Sequence, residues 1–194
     1  MSRVSKTAVW AVAVGFCSVV IAAPADATKS EPVIGGHTTI TASPDITKLV
    51  DFLRAQGITV TVIGPATLAN GSLTMPMVSG SMSVPSMHGV MDAEGGLQFK
   101  KGDRVLHVGQ YILSHQGGDA TLSALVSGRR VSQRRIVIAR MVAPTVNMSD
   151  NTGTMTGGIE LTAAWADLIN QLLDKHVLSA GADLGDLSAT VTVA

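Results

Sequence analysis

ITASPDITKLVDFLRAQGITVTVIGPA, residues 40–66, holds the two periodicities that decide the fold. Thr39, Ile40, Thr41 and Ala42 alternate as a strand does. Ser43 then stands where a helix cap is needed, and Pro44 fits the first helical position without losing a useful donor. Ile46, Leu49, Val50 and Leu53 recur at helical spacing, with Thr47, Lys48, Asp51 and Arg54 on the other face. Gly57 can close the helix in the left-handed region. Ile58 to Ile63 alternates with threonine and reads as a second strand.

The same form returns 119 residues later. Thr162 matches Ser43, Trp165 matches Ile46, Leu168 matches Leu49, Ile169 matches Val50 and Leu172 matches Leu53. A closing strand runs from Leu187 to Val193. Between the two units lie only strand and turn signals. Strands are expected at 73–78, 80–84, 97–100, 104–113, 120–126 and 135–142, the first two being limited to edges or ends by Pro76 and Pro85. Turns are expected at Gly95-Gly96, Lys100–Asp103, Gly117–Asp119 and Val131–Gln133, a kink at Gly109, and a polar loop at 147–152. The fold class that follows is mainly β: an antiparallel β-sandwich with two short amphipathic helices.

The chain has 194 residues, with 14 Lys plus Arg against 14 Asp plus Glu, so no global field draws in nucleic acid. Hydrophobic residues make up 46%, which argues against disorder. Residues 1–27 read as a secretory signal. Arg3 and Lys6 precede an apolar run from Ala8 to Ala23, and Ala25-Asp26-Ala27 offers a cleavage site after Ala27. The run is shorter than the about 20 residues of a spanning helix. Its Cys17, the single cysteine, is followed by more apolar chain rather than ending the run as a lipid-bearing cysteine would. Residues 28–194 form one cysteine-free domain, exported to the outside or the cell wall, with no membrane span after cleavage.

Four further stretches carry a family likeness: GGLQFKKGDRVLHVGQYIL at 95–113, ATLSALVSG at 120–128, IELTAAWADLIN at 159–170 and SAGADLGDLSATVTV at 179–193. With residues 40–66, they make the chain resemble small secreted β-sandwich proteins of actinobacterial envelopes. It is similar, more distantly, to the HtaA-like domains of envelope haem uptake. Related proteins often have a His-x-Gly-Gly-Leu pattern; here Asp92-Ala93-Glu94-Gly95-Gly96-Leu97 has no histidine at that place. HtaA-like domains hold haem with tyrosine and histidine. Tyr111 is the single tyrosine of this chain and does not map onto an axial ligand by sequence. The resemblance implies an extracytoplasmic location and a sandwich, not an activity.

Catalytic signals are absent from the sequence. SGSMS at 79–83 lacks the Gly-x-Ser-x-Gly elbow and its strand-to-helix context. GGHTTI at 35–40 lacks the lysine and length of a phosphate loop. Asp92 and Glu94 are neighbours in sequence and read as solvated loop residues. No catalytic residue and no required cofactor is therefore expected.

Two clusters stand out as binding candidates. Met75, Met77, Met82, Met87 and Met91 fall close together with His88 among them, and thioether and imidazole suit copper. Equally, methionine can replace branched aliphatics in a core. Arg129, Arg130, Arg134 and Arg135, with Arg140 beyond, could contact a polyanion such as a wall phosphate or an acidic glycan. No aromatics interleave them, so single-stranded nucleic acid is not the partner. His37, His88, His107, His115 and His176 show no metal-ligand spacing. The first functional expectation is a non-enzymatic structural or adhesive envelope protein that self-associates as a homo-oligomer or binds a surface component through strand edges. The alternative is an extracytoplasmic ligand or metal carrier, for copper or haem.

Overall fold

Long alternating stretches favour strands, and the computed structural model shows ten of them with two helices. It describes residues 29–84 and 86–194, without the side chains of Asp45, Ile46, Lys48 and Leu49. The expected leader with Cys17, and the core roles expected of Ile46 and Leu49, lie outside the described residues. In chain order the elements are β1 (Ser30–Ala42), α1 (Pro44–Ala55), β2 (Ile58–Ile63), β3 (Thr67–Ala69), β4 (Ser72–Ser83) and β5 (His88–Lys101). Then follow β6 (Arg104–Gln116), β7 (Asp119–Gly128), β8 (Val131–Ser149), β9 (Thr152–Leu161), α2 (Ala163–Leu173) and β10 (Asp183–Val193). Among the described residues, no helix is long and apolar enough to cross a membrane.

The fold is mainly β and antiparallel, but its layers differ from the expected sandwich. Strands β5-β6-β7-β8-β9-β10-β1-β4 pair in that order, and β4 pairs with β5, closing an eight-stranded barrel. Closure is what twisted strands allow when every strand finds two neighbours, and it removes the edges that two stacked sheets would leave. The strand edges expected to drive self-association are thus largely consumed within one chain. Only the short β2 and β3 end the ladder, β2 on β5 and β3 on β4.

The two strand–helix–strand units are alike locally and differ in topology. After α2, β10 returns to pair with β9. After α1, β2 crosses to pair with β5 instead. Thr162 caps α2 as expected: Trp165 N–H donates to its hydroxyl oxygen at 3.4 Å. At the other end Asp174 adopts the left-handed conformation, and Lys101 Nζ donates to the Leu173 carbonyl at 3.1 Å.

Gly95-Gly96 is not a turn. β5 runs straight through it with a bulge, and changes partner there. Its first half, His88 to Ala93, pairs with β4; its second half, Gly96 to Lys101, pairs with β2. Gly95 has φ +102°, and a Cβ there would sit 2.5 Å from Ala66 Cβ, so glycine is required by both conformation and space. Asp92 and Glu94 consequently belong to a strand, not a loop, and Asp92 accepts from Ser79 Oγ at 2.7 Å. Pro76 is likewise inside one continuous β4, where it faces outward between the buried Met75 and Met77.

Candidate functional site

Where β5 leaves β4, the barrel wall splits and a gap remains between the strands, α1 and α2. The result is a cavity of about 450 Å³ that opens towards α1. That volume lies within the range of small-molecule sites, which are mostly apolar with few polar groups. Val108, Leu122 and Ile159 form inner wall, and all three are buried. Trp165 and Ile169 of α2 form a second side, and Leu178 of the segment after α2 forms a third. Thr47, Asp51 and Arg54 of α1, with Asn70 from the β3–β4 turn, supply the polar groups of the lining.

Tyr111 is the one strongly perturbed group in the cavity wall. It follows Gln110, whose φ of +49° marks a bulge in β6 close to the expected kink at Gly109. The bulge turns the Tyr111 side chain inward, where it is 2% exposed. Its hydroxyl donates to the Val108 carbonyl at a long 3.5 Å, and it has no other hydrogen-bond partner among the described residues. Burial pushes the phenol pKa well above its ordinary value, so the group is neutral at physiological pH. No histidine lines the cavity. A phenol held dry, with its oxygen lone pairs unused, is chemically suited to accept a hydrogen bond or to give its proton up to a hard cation.

The segment 174–182 is shaped by one buried side chain. Asn170 Oδ1 accepts from Val177 N–H at 2.8 Å and Leu178 N–H at 2.9 Å. Its Nδ2 donates to the Leu178 carbonyl at 2.8 Å and lies 3.2 Å from His176 Nδ1. Such saturation of a side-chain amide fixes the strap against the cavity. Nothing in the sequence singled out Asn170; an asparagine on the apolar face of a helix was the available signal.

The methionines are split between two environments. Met75, Met82 and Met91 are fully buried and Met77 nearly so, filling the barrel interior with Met155. Met87 and His88 stand at the upper rim, in the turn before β5 and at its first residue. There His88 meets His115, a residue the sequence had not paired with it, with ring centroids 5.0 Å apart.

The arginines are also divided. Arg129-Arg130 form the β7–β8 turn itself, and Val131 already begins β8, so the turn expected at Val131–Gln133 moves by two residues. Arg129 pairs with Asp103 at 2.6 Å. Arg135 donates to the Gln110 carbonyl at 2.7 Å, and Arg134 is exposed on β8. A second cleft, of about 150 Å³, lies between Arg104, Arg129, Arg130 and the end of α2. Arg104 pairs there with Asp174 at 2.6 Å, and that hydrogen bond holds the Asp174 carboxyl below its usual range. Asp103 and Asp174 therefore offset much of the positive charge that the arginine cluster brings.

Comparison with solved structures finds the same fold in HtaA and HtaB domains. The C-terminal domain of HtaA from Corynebacterium glutamicum matches with TM-score 0.69 over 84% of this chain and 99% of that one, at 14% identity. The N-terminal domain of the same protein matches with TM-score 0.60 over 82% and 97%, at 13% identity. The haem-binding protein HtaB from that organism matches with TM-score 0.57 over 84% and 96%, at 14% identity. No protein-family model matches the chain, and no curated protein matches its sequence. The fold is therefore shared at low sequence identity.

Proposed function

We propose, taking the HtaA-like barrel as premise, that this chain is an extracytoplasmic carrier that binds haem in the lower cavity. The observation that carries the proposal is Tyr111: one buried, underused phenol on the wall of an apolar cavity. A neighbour of the same fold, HtaB, is described as haem-binding. This reading has better support than a structural or adhesive role, whose free strand edges the barrel closure largely removes.

The residues present fit the group. Tyr111 Oη would hold the iron, a role tyrosine fills in other haem proteins. Trp165, Phe99, Leu97 and Ile169 offer aromatic and aliphatic surface to a flat macrocycle. Arg54, Thr47 and Asn70 offer donors for acidic substituents near α1. When bound, haem supplies a hard ferric centre to the phenolate oxygen. The chain's part is to keep that oxygen dry and to release its proton on binding. Because burial disfavours free ionisation of Tyr111, uptake is linked to loss of one proton, and affinity rises with pH. Transport across the envelope, rather than chemical turnover, is the work such a site performs, and the leader expected in residues 1–27 fits this location.

Haemin titration followed by absorbance tests the proposal. One equivalent should bind, with a charge-transfer band of tyrosinate ligation, and Tyr111→Phe should abolish that band and weaken binding at least about tenfold, the order of loss for a displaced metal-site interaction. Absence of stoichiometric binding, or an unchanged spectrum in Tyr111→Phe, would overturn it.

A further inference from the structure

We infer that the upper rim of the barrel, remote from the cavity, holds a copper(I) site built from His88, His115 and the sulfur of Met87, with Met148 beside it. The inference starts from the two imidazoles. His88 opens β5 and His115 nears the end of β6, and the register Gly89 to His115 brings them together. Their centroids are 5.0 Å apart and their planes meet at 65°. With metal–nitrogen bonds of about 2.0 Å and a ring nitrogen about 1.1 Å from its centroid, two imidazoles on one tetrahedral ion hold their centroids about 5 Å apart. The centroid spacing therefore matches that of two imidazoles on one ion.

The second observation is the hydrogen bond of His115. Its Nδ1 lies 3.1 Å from the Met87 carbonyl. A carbonyl only accepts, so Nδ1 carries the proton and Nε2 keeps its lone pair. Metal-binding histidines characteristically donate their other nitrogen to a backbone carbonyl in this way, which fixes ring orientation and raises basicity. His115 is buried and His88 is exposed, so one ligand is preset and the other faces the path of entry.

The third observation is the backbone of Met87. It has φ +52° although it is not glycine, and its side chain is fully buried. Strain of this kind persists where surrounding structure holds it, often at ligand sites. The sulfurs of Met87 and Met148 both rest against Gly153, 2.8 Å and 2.6 Å from the place its Cβ would take. A side chain at 153 would displace them, so glycine keeps the two thioethers side by side. Thioether with neutral imidazole, and no carboxylate or thiolate among the described rim ligands, is a soft set that selects copper(I) over zinc(II).

Anaerobic titration of the purified protein with copper(I), against a chromophoric chelator, tests the site. One equivalent should bind, and the ring-proton NMR signals of His88 and His115 should shift together. His88→Ala, an exposed change that leaves the fold intact by circular dichroism, should weaken binding by about 10–100-fold, and Met148→Leu by less. Tyr111→Phe should leave copper binding unchanged, which separates this site from haem carriage. Substoichiometric binding, an affinity unaltered by His88→Ala, or a tighter affinity for zinc(II) than for copper(I) would each overturn the inference.

Discussion

Trp165 of α2 meets Phe99 of β5 edge-on, with ring centroids 5.8 Å apart and planes at 66°. The pair joins the helix to the strand that has left β4, and both rings line the cavity. It is therefore both a clamp on the split wall and part of the cavity wall. Edge-to-face pairs contribute about 0.5–1.5 kcal/mol beyond their buried area.

Trp165→Ala should lower stability by about 2–3 kcal/mol, less than a fully buried tryptophan because this one is half-buried. Urea denaturation reads that loss directly. The same variant should weaken haemin binding, since it removes one wall of the site, whereas copper(I) binding at the rim should not change.

Tyr111→Phe should alter the alkaline limb of the stability curve. Burial raises the folded-state phenol pKa above its unfolded value of about 10. Above pH 10 the unfolded chain therefore loses a proton that the native chain keeps, so native stability falls as pH rises. The phenylalanine variant lacks this group, and its denaturation midpoint should fall less steeply between pH 10 and 11.

Asn170→Ala should release the strap at 174–182. It leaves the N–H groups of Val177 and Leu178 without their acceptor, and each such loss costs about 1–3 kcal/mol where the group is buried. Amide exchange at Val177 and Leu178 should accelerate by at least about tenfold, equivalent to 1.4 kcal/mol of local stability.

Thr38→Val should stabilise the protein by about 1 kcal/mol. Thr38 is 1% exposed, and its hydroxyl has no hydrogen-bond partner among the described residues. It faces the interior opposite Met75 in the β1–β4 ladder, so an isosteric apolar side chain removes a desolvation cost without leaving a void. Thermal unfolding of the two proteins compares them.

Local features were legible in the sequence. Ile58–Ile63 was delimited by alternation, and α2 by its capping Thr162 and apolar stripe, because these signals act within a few residues. Closure was not legible, because β1 meets β10 on one side and β4 on the other, through pairings between strands distant in sequence that leave no local mark. Gly95-Gly96 shows the ambiguity in one place: a glycine pair serves a hairpin turn or a bulge equally well, and only the crowding by Ala66 decides. At the candidate sites, His88 and Met87 drew notice through composition. His115 was noted only as one of five histidines and not as a partner of His88, and Met148 and Asn170 drew no notice, since each acts through a neighbour distant in sequence. Tyr111 was noticed as the single tyrosine, but its inward aim depends on the bulge at Gln110.

The partner exchange of β5 at Gly95 divides the barrel into two storeys. Above it the ladder is continuous, and its girth is set by strand count. Below it, bore is set by how far β2 and β3 stand apart, a distance no hydrogen bond between those strands constrains. Lengthening or shortening those two small strands would therefore alter the bore, while the girdle overhead retains its registration.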